Sequence, residues 1–376
     1  MTDFTHCDTM KTEAAGQDLR SLTPDELAGV IKSLGEKPYR ASQIVQWLHQ
    51  KLVSDYDGMT NIPAALRQKL KDRYPMQPVS RQKVLISGID GTRKYLFGLS
   101  DGNVIESVLM RYSFGNSVCI STQAGCRMGC RFCASTIGGL ARNLTPAEML
   151  QEVYEIQKDT GERVTHVVLM GSGEPFDNFD SVVRFLRLIT DERGLNISAR
   201  NITLSTCGLV PEMRRFADLR MQVTMAVSLH APNDEIRKRI MPAANRYTIA
   251  EILDACRYYI DRTGRRVTFE YSLMGGVNDS DRDAEQLARR IAGMQAHVNL
   301  IPVNPVSGRD FRSTGRDRAE SFRRTLLRCG VNATIRREMG RDINGACGQL
   351  RKSFMESGKK PDRTQAGGNP AEDSAQ

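Results

Sequence analysis

The chain has 376 residues, 40% of them apolar, which supports a real core and excludes a disordered chain. No run approaches the roughly 18 apolar residues a membrane span needs, and the opening MTDFTHCDTMKTEAAGQ lacks a signal-peptide core, so a cytoplasmic protein is expected. Fifty-three Lys and Arg against 44 Asp and Glu leave a net charge of +9, which favours a polyanionic partner without proving one.

Residues 1–20 are expected to form a loose leader. Residues 21–80 carry helical signals: Thr23 before Pro24 and Glu26, the apolar spacing of Ile44, Val45, Trp47 and Leu48, then Leu66 and Leu70. They predict a helical accessory domain. Residues 81–112 switch to strand character, broken by Asp90-Gly91 and Asp101-Gly102, and predict a short antiparallel β extension. In 113–354, β-rich runs (SVCIST, VTHVVLMG, NITLST, VTMAVSLH, VTFEYSLM, HVNLIPVN) alternate with amphipathic stretches such as 145–160, 247–263 and 280–293. Six β/α units in succession predict an α/β fold with a parallel sheet curved into a partial (β/α)6 barrel. The strand NATIRR (332–337) follows, then GRDINGACGQL near the barrel rim, and residues 355–376 form a polar tail expected to be disordered.

Nine cysteines in a cytoplasmic chain argue for metal or thiol chemistry over a disulfide scaffold. Cys126, Cys130 and Cys133 form a CxxxCxxC triad on the loop after the first barrel strand. Three thiolates on one loop can hold three irons of a [4Fe-4S] cluster and leave the fourth open to a ligand. Zinc would normally show a fourth ligand, and no second CxxC pair or nearby His supplies one. In Val118-Cys119-Ile120-Ser121, alternation puts Cys119 and Ser121 on one face; if the apolar pair meets the helices, Cys119 faces the lumen. Alternation alone slightly favours simple packing of that thiol over catalysis, since unpaired Cys is among the most buried residue types.

The triad resembles that of the radical S-adenosylmethionine (SAM) superfamily, in which the open iron chelates SAM before reductive cleavage to a 5′-deoxyadenosyl radical. GEKPYRASQIVQW, SVCISTQAGCRMGCRFC, MGSGEP, AVSLHAPNDEIR, NLIPVNP and GACGQL together resemble the RlmN/Cfr family of RNA adenosine methyltransferases, over about residues 20–350. The resemblance implies two SAM molecules per turnover, one as methyl donor and one as radical source. It implies that Cys347 carries the methyl as S-methylcysteine, because the electron-poor C2 of adenine cannot attack a methyl sulfonium. Cys119 would remove the ring proton and resolve the covalent adduct, leaving a transient Cys119–Cys347 disulfide to be reduced. Glu106 matches the family's proton acceptor, and Gly173, Glu174, Ser205, Ser228, Leu229, His230 and Asn304 match its SAM-binding positions. Most of these fall at strand C-terminal ends, where barrel sites lie.

GEKPYR, SLHAPNDEIR and NLIPVNP are closer to the branch that methylates C2 than to the branch that methylates C8. That branch implies 23S rRNA at the peptidyl transferase centre as substrate, with the adenosine 3′ of the tRNA anticodon as a second one. It also implies an external electron donor such as flavodoxin or ferredoxin, and a monomeric enzyme. A noncatalytic iron-sulfur RNA-binding protein would account for the charge and the triad but not for Cys119, Cys347 and the SAM pattern together. Lys37, Arg40 and Lys51 are candidates to grip RNA, as are Arg323, Arg324, Arg336 and Arg337, although charge runs are usually only solvated faces. Ser172 and Cys207 depart from the family pattern. Cys256 and Cys329 are expected in the core, and Cys7 in the leader.

Overall fold

Thr23 accepts a hydrogen bond from the Glu26 amide while Glu26 reaches back to the Thr23 amide, so the spacing seen in the sequence closes as a capping box. The structure is a computed structural model that describes residues 16–304 and 310–343. Cys7, Cys347 and the tail therefore lie outside the described residues. The capping box starts α1 (Pro24–Ser33), which packs with α2 (Tyr39–His49) and α3 (Ala64–Arg73). Leu27, Ile31, Ile44, Leu48, Leu66 and Leu70, at helical spacing, form a core of their own.

Next come β1 (Ser80–Ile86), β2 (Arg93–Gly98), β3 (Val104–Tyr112) and β4 (Gly115–Cys119), followed by a small hairpin of β5 (Gln123–Gly125) and β6 (Leu140–Asn143). Helices and strands then alternate: α4 (Pro146–Thr160), β7 (His166–Leu169), α5 (Phe179–Thr190), β8 (Ile202–Thr206), α6 (Val210–Asp218) and β9 (Thr224–Ser228). After α7 (Asp234–Ile240) and α8 (Ile249–Thr263) come β10 (Val267–Leu273), α9 (Asp281–Ile291), β11 (Ala296–Pro302), α10 (Arg316–Arg328) and β12 (Ala333–Ile335). Three more capping boxes, Thr145/Glu148, Thr248/Glu251 and Ser280/Asp283, set the starts of α4, α8 and α9, each cap worth about 1 kcal/mol.

Ten strands join in the order β1-β2-β3-β4-β7-β8-β9-β10-β11-β12. The pairs from β1 to β4 are antiparallel and those from β4 to β12 parallel, so the expected β extension is continuous with the catalytic sheet. Six crossovers link the seven parallel strands, as the alternation predicts. Among the described residues β1 and β12 do not pair, and the sheet stays open.

Val118, Val167, Leu204 and Val227 pack under the helices in the main core. Each such side chain contributes about 1.5–3 kcal/mol by burial. The alternate positions Cys119, Ser205 and Ser228 are thereby turned to the other face of the sheet, where a cavity lies.

His49 ties the helical unit to this sheet: its Nδ1 lies 2.7 Å from the Tyr154 hydroxyl in α4. One expectation fails. Cys329 is exposed, because it follows the last turn of α10 while Leu326 and Val331 take the buried places around it. Cys256 is fully buried in α8, as expected.

Candidate active site

A cavity of about 420 Å³ lies against the open sheet, lined by residues from β3 and β4, the strand ends of β7 to β11, and the segment after β12. Cys126, Cys130, Cys133, Cys119, Glu106, Gly173, Glu174, Ser205, Ser228, His230 and Asn304 all line it. One volume thus gathers every proposed site residue within the described residues except Leu229. Leu229 is fully buried in the core and does not line the cavity: its amide donates to the Glu270 carbonyl and its carbonyl accepts from Arg237 Nε at 3.2 Å.

The triad is held by the β5–β6 hairpin. Gly125 has φ +88°, and a Cβ there would sit 2.1 Å from the Gly139 carbonyl, so only glycine lets the loop close. The Cys126 amide donates to that same carbonyl, and the Cys133 amide to the Cys130 carbonyl. Burial pushes the Cys126 thiol up to about 12 and the Cys130 thiol well up, with neighbouring Cys133 adding to both. Cys126 and Cys130, which resist ionising alone, suit a cation that takes them as thiolates. Among the described residues no three His, Cys, Asp or Glu side chains meet at a point as ligands of one ion would. A cubane takes each thiolate on a separate iron, so the spread triad fits that group.

Gly173, at φ +115°, follows the β7 strand end, and a Cβ on it would lie 2.7–2.8 Å from Thr122 and Gln123. That close approach places Glu174, whose Oε2 accepts from the Cys207 amide at 2.7 Å and Oε1 from the Phe176 amide at 3.1 Å. Burial raises the Glu174 carboxyl pKa, and these hydrogen bonds pull against the rise. A carboxylate so placed would accept an ammonium group. Ser205 Oγ and Ser228 Oγ stand 3.4 Å apart.

His230 has φ +57°, rare outside glycine, and is over-determined by its neighbours. Its Nδ1 accepts from the Ser272 amide at 2.9 Å, its carbonyl accepts from Asn278, and its ring meets Phe132 edge-on at 5.0 Å. Burial, aided by Arg237, brings its pKa down to about 3. The ring is therefore neutral near pH 7, with Nε2 carrying the proton. Buried Arg237 supports this wall through the Cys207 and Leu229 carbonyls.

On the opposite wall, Glu106 is 7% exposed on an internal strand, so its carboxylate is buried rather than solvated at a sheet edge. Lys94 Nζ from β2 lies 3.0 Å from its Oε2, with both side chains buried. Cys119 sits one strand away. Burial raises its thiol to about 11, opposed chiefly by the positive charge of Arg336. Met339 packs with Val108 and Met110 beside Cys119.

Glu270 carried little sequence signal and occupies an inward position that strand alternation alone would give; Arg336, read in the sequence as a candidate to grip RNA, lines the cavity, as do Ser172 and Cys207, noted as departures. The Ser172 amide donates to Ser121 Oγ and its hydroxyl to Ser135. The segment leading to Cys347 is pinned to the Asp90-Gly91 turn. The Gly340 amide donates to Asp90 Oδ2 at 2.9 Å, and Asp342 accepts from Ser87 Oγ at 2.6 Å and the Gly88 amide at 2.9 Å.

The radical SAM superfamily model matches residues 120–288, and the ribosomal RNA large subunit methyltransferase N-terminal domain model matches residues 17–75. A solved structure, a radical SAM methyltransferase from Sphaerobacter thermophilus, superposes with a TM-score of 0.85 at 45% identity, covering 89% of this chain and 98% of that one. A probable dual-specificity RNA methyltransferase RlmN from Lachnospira eligens is 58% identical over 90% of this chain and 97% of its own length. One of the same description from Clostridium perfringens is 54% identical over 91% and 98%. With relatives this similar matched over nearly their whole length, and with the triad set in a radical SAM fold, the chain belongs to the RlmN family of radical SAM RNA methyltransferases.

Proposed function

We propose that the chain methylates C2 of an adenosine in the peptidyl transferase centre of 23S rRNA, and C2 of the adenosine 3′ of the tRNA anticodon, acting in the cytoplasm as a monomer. The observation that carries this reading is the meeting of Cys119 and Glu106 with the three cluster cysteines in one cavity. A site that only stored electrons would have no use for that second thiol and buried carboxylate.

When bound, a [4Fe-4S] cluster on Cys126, Cys130 and Cys133, together with SAM, supplies the methyl group and the radical that activates it. Glu174, Ser205, Ser228, His230 and Asn304 would hold the polar groups of SAM, with Gly173 allowing its close approach and buried Leu229 supporting the wall through its hydrogen bonds to Glu270 and Arg237. Cys347 would carry the methyl and, once that carbon is joined to adenine C2, link protein to RNA through a methylene bridge. Glu106, oriented by Lys94, and Cys119 face the cavity where the C2 proton must leave. Cys119, as its thiolate, would then attack the Cys347 sulfur and break its bond to the methylene carbon, which takes up a proton to become the methyl group; an external dithiol would reduce the Cys119–Cys347 disulfide left behind for the next turnover. The base must leave its stack to reach so deep a cavity, and the helical unit with Lys37, Arg40 and Lys51 is suited to grip the flanking RNA.

Incubation of reconstituted enzyme with SAM, a reductant and unmodified 23S rRNA or tRNA, followed by nucleoside mass spectrometry, tests this. The expected product is 2-methyladenosine; 8-methyladenosine, or no methylated adenosine with either RNA, overturns it.

A further inference from the structure

The cluster loop has two sides. Cys126, Met128, Cys130, Phe132 and Cys133 line the cavity, whereas the residues between them, Arg127 and Arg131, are exposed and absent from that lining. Arg127 pairs with Asp177. Arg131 has no carboxylate partner among the described residues, and its amide donates to the Ile240 carbonyl at 2.9 Å, which ties the loop to the end of α7. Gly129 lies against Pro242 in the same seam: a Cβ there would meet its ring at 3.3 Å.

The α7 sequence DEIRKRI turns Arg237 and Ile240 inward and leaves Lys238 and Arg239 exposed, also without carboxylate partners among the described residues. Arg246 is exposed just beyond. Asp234, which accepts from the Ile249 amide at 2.7 Å, and exposed Glu235 supply two negative charges at the start of α7, against which Arg131, Lys238, Arg239 and Arg246 leave the surface net positive. The outer side of the loop is thus a cationic patch, one residue in sequence from two of the cluster thiols and facing away from the cavity.

We propose that this patch, centred on Arg131, Lys238 and Arg239, is the docking surface for a small acidic one-electron carrier protein. The inference rests on the triad holding a redox cluster. One electron must reach that cluster for each radical formed, and adenosine and SAM occupy the cavity side. An electron carrier is left with the outer side. RNA is the other polyanion to weigh, but its target base must enter through the cavity, where Arg336 and Arg337 line the opposite part of the wall. Charges in such a patch act mainly on encounter rate, so the contact should weaken as salt rises.

The test uses reconstituted holoenzyme and its Lys238→Glu/Arg239→Glu variant, neither residue being a cluster ligand or a cavity residue. Cluster reduction is followed by electron paramagnetic resonance and absorbance, with reduced flavodoxin or with dithionite. Flavodoxin-driven reduction is expected to fall about tenfold or more in the variant and to lose its salt dependence, with dithionite-driven reduction and RNA affinity unchanged. Equal flavodoxin rates in the two proteins overturn the proposal; equal rates with weakened RNA binding assign the patch to RNA instead. A wild-type protein that dithionite cannot reduce removes the cluster reading itself, and with it the basis for the dock. Arg131→Glu added to the pair should deepen the flavodoxin defect, and no added effect would exclude Arg131 from the surface.

Discussion

The two walls of the cavity are built by different means. The cluster wall is local: residues 123–139 fold back on themselves through backbone hydrogen bonds, and Gly125 and Gly173 allow chain segments to approach within a Cβ's width. The thiol wall is assembled from afar. Lys94 on β2 meets Glu106 on β3, Arg336 follows β12, and Ser87 clasps Asp342 across 255 positions. The cluster wall closes mainly within its own loop, with Gly129 and Arg131 seamed to the end of α7, whereas the wall that would complete methyl transfer is built from tertiary contacts.

Breaking the cluster wall should have the largest effect. Cys130→Ala is expected to abolish 5′-deoxyadenosine formation, a loss of about 10⁶-fold or more on the scale of enzymatic acceleration. Product assay by liquid chromatography checks it, and residual cleavage at wild-type rate would remove Cys130 from the ligand set.

On the thiol wall, Lys94→Met takes the charge partner from a buried carboxylate, which typically costs about 3–5 kcal/mol. Denaturant unfolding should show that loss, and Lys94→Met/Glu106→Gln should recover part of it. A single variant as stable as wild type would mean the pair does not support this wall.

Asp342→Ala releases the clasp on the segment that leads to Cys347. Methylated RNA per 5′-deoxyadenosine should drop about tenfold as that segment loses its register, while the cluster spectrum stays unchanged. A preserved ratio would show that the Asp90 contact alone suffices.

The smallest effect concerns pH. The Cys119 thiol, raised to about 11, is protonated at neutral pH, so its alkylation should quicken by about tenfold per pH unit towards that value. Arg336 opposes the rise; Arg336→Met should push the thiol further up and slow alkylation a few-fold at pH 8. Faster alkylation in that variant would contradict the charge assignment.

The same contrast explains what was legible in the sequence. The triad and the strand end MGSGEP are contiguous, and alternation alone placed Cys119 opposite Val118 and Ile120. Helix starts were equally plain, because a capping box is complete within four residues. Lys94 gave no sign of its role, since a lysine in a β-rich run is usually solvated, and only the β2–β3 register, which pairs Leu96 with Glu106 and Lys94 with Val108, brings it diagonally to Glu106 on one face. The Asp90-Gly91 turn was visible as a hairpin, but its grip on Gly340 and Asp342 was not. Cys329 misled because apolar neighbours suggest a core position until the helix ends beside it. Leu229 sits in a motif that suggested binding, yet it is fully buried outside the cavity lining, with its amide and carbonyl bonded to Glu270 and Arg237.

The account stands most directly on Cys119 resolving an adduct carried by Cys347. Cys119→Ala enzyme, reconstituted and mixed with SAM, reductant and substrate RNA, should accumulate protein covalently joined to RNA, with mass spectrometry locating a methylene bridge between Cys347 and adenosine. Full turnover to free methylated RNA with no trapped adduct would contradict it.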